Sequence, residues 1–191
     1  MNTEHTERLK NKRIAILATN GFEESELLVP KNVLETHGAQ VDVVSPESGT
    51  IKSWKDGNWN SDFDVDVHLN DANAENYNAL VLPGGVINPD LLRREDRAVN
   101  FVRTFFKQHK PVAAICHGPW MLAEAGVLQG RDITSYHSIK TDMINAGANW
   151  QDKEVVVDQG LVTSRSPEDL EAFNNKIMEE VLEGKHAEQT V

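Results

Sequence analysis

One residue in this chain can act as a thiol nucleophile: Cys116, the single cysteine among 191 residues. It ends the apolar run Val112-Ala113-Ala114-Ile115, with Lys110-Pro111 before the run and His117-Gly118-Pro119-Trp120 after the cysteine. Small residues stand two before it (Ala114) and two after it (Gly118). A sharp strand-to-helix turn needs that pattern, because larger side chains would collide as the backbone reverses. Pro119 suits a first helical turn, where its missing N–H leaves no bond unmade. The spacing therefore predicts Cys116 at a helix start, where free amides and the positive end of the dipole favour thiolate over thiol. At the ordinary pKa of about 8.5 only a few per cent of the thiol is ionised at neutral pH, so the placement decides its reactivity. His117 is the adjacent base candidate. Neighbours on a sharp turn often point apart, so its own partner is sought elsewhere in the chain.

Three further groups could serve such a sulfur. Glu23, Glu24 and Glu26 open a helical stretch, and a carboxyl held beside a thiolate has its pKa raised. A protonated Glu would then donate a hydrogen bond to the sulfur. Gly84-Gly85 follows a buried strand, and paired glycines let backbone N–H groups approach a substrate oxygen as an oxyanion hole. Tyr136 and His137 are candidates for the pocket lining.

The elements that must position these residues follow from periodicity. Arg13–Ala18 reads as a buried strand and Thr19–Phe22 as its turn. Glu23–Gly38 carries Leu27, Leu28, Val33 and Leu34 at helical spacing, with a bend or restart expected at Pro30. Val41–Val44 is a second strand, so the chain opens β-α-β with a right-handed crossover. Ser45–Leu69 reads as a hairpin or meander, Ala79–Leu82 as a strand, and Asn88–His109 as one or two helices. The Cys116 strand and a helix to Gly126 come next, then a short strand at 133–135 and a helix over 140–146. Val155–Asp158 and Leu161–Ser164 flank Gln159-Gly160 as a hairpin. Ser166-Pro167-Glu168-Asp169 caps a last helix to about Leu182. Alternating buried strands and helices make a doubly wound α/β sheet, which binds ligands at the carboxyl ends of its strands. The turns at 20–26, 83–85 and 116–118 fall at such ends.

Composition bounds the rest. The length fits one domain: a flexible extension at 1–12, a single domain at 13–184 and a frayed tail at 185–191. A hydrophobic share of 39% and a charged share of 26% fit a globular chain in solution. No apolar run approaches the ~20 residues of a membrane span. Met1–Lys12 holds no apolar h-region, so secretion is not expected, and one cysteine argues for a reducing cytoplasm. A net charge of −11 disfavours strong nucleic-acid binding. No pair of Cys or His residues has zinc-site spacing, so no metal is expected.

Phe22-Glu23-Glu24-Ser25-Glu26-Leu27, Leu82-Pro83-Gly84-Gly85, Ala114-Ile115-Cys116-His117-Gly118-Pro119 and Asp142–Ala148 together closely resemble the PfpI family of the DJ-1/PfpI superfamily, class I glutamine amidotransferase-like. Glu154–Asp158 and Thr163–Leu170 extend the resemblance, which spans roughly residues 13 to 182. It implies a flavodoxin-like, doubly wound, mostly parallel sheet sandwiched by helices. It also implies Cys116 as nucleophile, Glu26 as the carboxyl touching the sulfur, and backbone N–H donors from Gly85 and His117. His117 matches the family's catalytic histidine. The acidic partner of that histidine comes across a subunit interface from a Glu that aligns with Asp96, one methylene shorter, and this departure counts against a protease-type triad. A homodimer or higher homo-oligomer follows from the same resemblance.

Members of the family have been described as peptidases, chaperones, and glyoxalase or deglycase enzymes. The expected function is a cofactor-independent, stress-protective cysteine enzyme acting on a small carbonyl or glycated substrate, an α-oxoaldehyde or early glycation adduct. The expected site comprises Cys116, His117, Glu26 and Asp96 for catalysis, with Gly84, Gly85 and Tyr136 binding substrate. A PfpI-type cysteine peptidase and a redox sensor or chaperone with an oxidisable cysteine are the alternatives.

Overall fold

The computed structural model describes residues 7–191. In chain order the elements are β1 (Arg13–Leu17), β2 (Phe22–Glu23), α1 (Glu24–Thr36), β3 (Gln40–Ser45), β4 (Thr50–Lys55), β5 (Asn58–Asp64), β6 (Val67–His68) and β7 (Ala79–Leu82). Then come α2 (Ile87–Leu92), α3 (Asp96–Lys107), β8 (Val112–Ile115), α4 (Trp120–Ala125), β9 (Asp132–Ile133), α5 (Lys140–Asn145), β10 (Asn149–Trp150), β11 (Val155–Asp158), β12 (Leu161–Ser164) and α6 (Leu170–Glu183).

The main sheet has seven strands in the order β11-β12-β8-β7-β1-β3-β6, all parallel except the hairpin partner β11. Its central strands are apolar on both faces because helices cover both. In β1, Ile14 and Ile16 face one core while Ala15 and Leu17 face the other, and β7 and β8 alternate in the same way. One core holds Phe101, Val102, Phe105 and Phe106 of α3 with Met121 and Leu122 of α4; the other holds Leu27 and Leu34 of α1 with Phe173, Ile177 and Val181 of α6. Phe105, Phe106 and Phe173 are fully buried, each contributing roughly 1.5–3 kcal/mol. The expected doubly wound α/β fold is what the chain adopts.

From β1 the chain runs to β3 on one side of the sheet, then returns to lay down β7, β8 and β12 on the other. That reversal between β1 and β7 opens a crevice at the carboxyl ends of the strands. The loops after β1, β7 and β8 meet there. The stretch expected to be a hairpin or meander holds the antiparallel hairpin β4–β5, whose β4 pairs with β2, while β6 adds a short outer strand to the main sheet.

Three expectations need correction. Of the extension at 1–12, residues 1–6 lie outside the described residues, and the rest is anchored to the domain through Leu9. Leu9 is fully buried and donates its N–H to the His37 carbonyl at 2.8 Å. The tail expected to fray is docked: His186 N–H bonds to the His109 carbonyl at 2.8 Å, Arg131 donates to the Thr190 carbonyl at 2.6 Å, and Gln189 is buried. Sequence patterning misses both because a single apolar or amide residue in a polar stretch has no period. Pro30, finally, does not restart α1, which is one helix across it. The ring removes only the bond to the Glu26 carbonyl, and the buried faces of Leu27 and Leu34 hold the turns on either side.

Candidate active site

Cys116 occupies the turn that leaves β8. Its φ is +62°, a left-handed value that costs a side-chain-bearing residue energy and marks a sharp elbow held by its surroundings. The elbow is closed by Gly118 N–H to the Ile115 carbonyl at 2.8 Å and Trp120 N–H to the His117 carbonyl at 3.0 Å. Gly118 is required because an added Cβ would run into the carbonyl oxygen of Leu82 on β7. Helix α4 begins only at Trp120 and has six residues, so the sulfur is not at a helix start as expected. The stabilising donors are local instead: the backbone N–H groups of Gly85 and His117 are directed at Sγ.

Glu26 reaches the same place from the first turn of α1. Its side chain is fully buried. Oε2 accepts the Gly84 N–H at 2.8 Å, and Oε1 has no nitrogen or oxygen partner among the described residues. The group that faces this carboxyl is the Cys116 thiol. Gly84 makes the approach possible, since a Cβ there would lie 2.6 Å from Glu26 Oε2 and 2.7 Å from Cys116 Cβ. Asn88 pins the loop: its amide donates to the carbonyls of Pro83 and Gly84, and its oxygen accepts the Thr19 N–H at 2.8 Å.

The two groups cannot both be charged in so dry a place. Burial pushes the Glu26 carboxyl up to about 8, helped by the charge of Glu23 and against the Gly84 amide. Burial also pushes the Cys116 thiol up, with the charge of Glu26 second, while the amides of Gly85 and His117 pull it down. This direction is opposite to the one expected from a helix start. The second cause disappears once Glu26 is protonated, so the pair titrates as a unit around one shared proton.

His117 does not point away. Its Nδ1 lies 3.2 Å from Sγ, and its Nε2 lies 3.3 Å from Ser138 Oγ. The ring is stacked on Tyr136 at 4.9 Å and meets the edge of Trp120 at 5.1 Å. Burial, then the charge of His137, lowers its pKa to about 4, so the imidazole is neutral at neutral pH and able to accept a proton. Asp96 opens α3 in an exposed position and makes no hydrogen bond to this ring within the chain. Gly21, Glu23, Trp54, Val86, Ile87, Tyr136 and Pro167 complete the walls of a cavity of about 490 Å³ around Cys116, Glu26 and His117.

The structure thus brings Cys116, His117, Glu26, Gly84, Gly85 and Tyr136 together and leaves Asp96 apart. Residues the sequence reading missed are Asn88, Ser138 and the wall residue Trp54. The Asn88-Pro89 dipeptide is a turn-forming signal that could have been read at Asn88. Ser138 and Trp54 carry no local signal, because each arrives from a distant element.

Comparison with known proteins identifies the family. Residues 12–180 match the DJ-1/PfpI family. The deglycase PfpI of Pyrococcus furiosus is 45% identical over 161 residues, covering 84% of this chain and 94% of that protein. A Bacillus subtilis protein, YraA, which carries a provisional cysteine-protease name, is 45% identical over 166 residues, covering 87% of this chain and 96% of its own. Among solved structures, a two-domain protein of Anabaena variabilis with DJ-1/ThiJ/PfpI-like and ferritin-like domains superimposes with a TM-score of 0.84 at 36% identity, covering 88% of this chain and 48% of that one. Among the described residues no helix is long and apolar enough to cross a membrane.

Proposed function

The chain belongs to the DJ-1/PfpI family, and on that premise we propose that it is a cysteine-dependent enzyme for α-oxoaldehydes or their early glycation adducts, in the manner of the relatives named deglycases. The observation that supports this reading is the meeting of one thiol, one proton-carrying carboxyl and inward-directed amides in a cavity of about 490 Å³. That volume suits a small carbonyl compound better than an extended peptide.

In the proposed reaction the Cys116 sulfur bonds to the aldehyde carbon as the thiol proton passes to His117 Nδ1. The C=O π pair moves onto oxygen, and the Gly85 and His117 amides stabilise the negative charge. Protonation of that oxygen by Glu26 gives a neutral hemithioacetal. Glu26, now a carboxylate, carries the C–H proton of the hemithioacetal carbon to the neighbouring carbonyl carbon through an enediol. This oxidises the first carbon to a thioester and reduces the second to an alcohol. Water then adds to the thioester, the C–S bond breaks, the sulfur takes back its proton from His117, and a 2-hydroxy acid leaves. No external oxidant or cofactor is needed. Assembly is part of the proposal: a homo-oligomer in which Asp96 of one subunit orients His117 of another.

Methylglyoxal consumption and casein cleavage, assayed side by side with Cys116→Ala as control, test the reading. Methylglyoxal turnover should fall by roughly a thousandfold or more in the variant, with casein untouched. Casein cleavage without methylglyoxal turnover would make the protein a peptidase. Loss of neither activity on Cys116→Ala would remove the nucleophile. Full activity in Asp96→Ala would remove the cross-subunit role.

A further inference from the structure

Far from Cys116 in the sequence, the end of α6 and the segment after it gather three side chains that the proposed reaction does not use. Glu180 and Glu183 stand one turn apart on α6, and His186 follows after the chain leaves the helix at Gly184. One ligand atom from each lies within 4.8 Å of the others. The Glu180 side chain is 7% exposed and Glu183 is open to solvent. His186 Nε2 is buried and lies 3.2 Å from Glu180 Oε2, yet it makes no hydrogen bond of acceptable geometry among the described residues.

We propose that Glu180, Glu183 and His186 form a binding site for a divalent cation of the zinc class, with water in the fourth position. The donor set is one imidazole nitrogen and two carboxylate oxygens. Tetrahedral coordination at zinc-ligand lengths of about 2.0–2.2 Å separates neighbouring donors by about 3.3 Å, close to the 3.2 Å between Nε2 and Oε2. An imidazole in the set favours zinc, cobalt or nickel over calcium and magnesium, which take oxygen cages. Charge points the same way: two carboxylates sit in the last turn of α6, beside the negative end of its dipole. The carboxylates of Glu180 and Glu183 lie close enough to repel each other. A cation would offset that repulsion and take the orphaned Nε2.

The ligands are held in place before any ion arrives. The His186 backbone N–H is bonded to the His109 carbonyl, and the ring lies against Gly160, where a Cβ would come 2.5 Å from Cδ2. Gln189 N–H bonds to the His186 carbonyl at 2.9 Å, and His109 Nδ1 meets the Gln189 carbonyl at 2.9 Å. An ion here would therefore fasten the docked tail to α6. The sequence expectation of no metal counted only Cys and His pairs and passed over this Glu-x-x-Glu-x-x-His spacing.

The test is calorimetric titration of chelator-stripped full chain with zinc chloride. The expected result is saturable binding of one ion per chain, unchanged in Cys116→Ala and weakened roughly tenfold or more in both His186→Ala and Glu183→Gln. Glu183 is exposed, so its variant keeps the fold even if loss of His186 undocks the tail. Cobalt bound at the site should show nitrogen and oxygen coordination with no thiolate charge-transfer band. Absence of saturable binding would overturn the proposal and leave a plain Glu180–His186 ion pair. Binding that survives in Glu183→Gln, or that vanishes in Cys116→Ala, would overturn it as well.

Discussion

The carboxylate of Glu24 is met by Ser53 Oγ at 2.8 Å, Asn60 Nδ2 at 2.6 Å and Lys55 Nζ at 3.0 Å, all from the β4–β5 hairpin. Two residues on, in the same helical turn, the carboxyl of Glu26 meets one amide, one sulfur and apolar walls. The donors on Glu24, with Ser53 first, hold it down to about 2, whereas burial pushes Glu26 up to about 8. Each acid stands where the other would fail. Glu24 is an anion that ties the hairpin, and with it the wall residue Trp54, to α1. Glu26 is an acid that keeps its proton at neutral pH for the sulfur. Partners, not position along the helix, divide a structural carboxylate from a chemical one.

The largest effect expected from this contrast is on rate. Glu26→Leu should lower kcat/KM for methylglyoxal by roughly a hundredfold or more, because the proton donor at the sulfur is gone. Glu24→Gln should leave kcat within a small factor. Steady-state kinetics on the two variants measure this, and equal losses would erase the distinction.

A second effect is on stability against pH. The folded-state pKa of Glu26, about 8, lies above the ordinary 4.5, so the native state holds a proton that the unfolded chain has lost. Stability therefore falls as pH rises from about 4.5 to 8. Glu26→Gln removes that dependence and should gain on the wild type across this window, by up to a few kcal/mol at its upper end. Denaturant midpoints at pH 5 and pH 8 read the difference. A constant offset between the two proteins would mean that Glu26 titrates normally.

The smallest effect has the opposite sign. The pKa of Glu24 lies below its ordinary value, so its contribution is present above pH 4.5 and is lost as pH falls towards 2. Glu24→Gln should cost roughly 1–3 kcal/mol at neutral pH, and the deficit should shrink in acid. A deficit that stays constant down to pH 2 would show that the hairpin donors do not act on a charged carboxylate.

The same contrast shows how far the sequence could be read. Alternating apolar runs revealed the doubly wound sheet, because burial on both faces leaves a signal in every central strand. The small residues around Cys116 revealed the elbow, because backbone crowding restricts residue type. Glu24 and Glu26, however, are identical letters in one acidic run. What separates them arrives from Ser53, Lys55 and Asn60 on one side and from Gly84 and Cys116 on the other, 29 and 58 residues away for the bonds from Ser53 and Gly84. The approach of His117 Nδ1 to Sγ was equally hidden, because it depends on the +62° φ of Cys116 and on stacking with Tyr136.

The division of labour between the two acids turns on Glu26 carrying a proton beside Cys116 at neutral pH. Infrared difference spectroscopy against Glu26→Gln reads it directly, through the C=O stretch of a buried carboxylic acid. This band should be present at pH 6, disappear with a midpoint near 8, and be missing from the variant. A carboxylate signal from Glu26 already complete at pH 6 would contradict it.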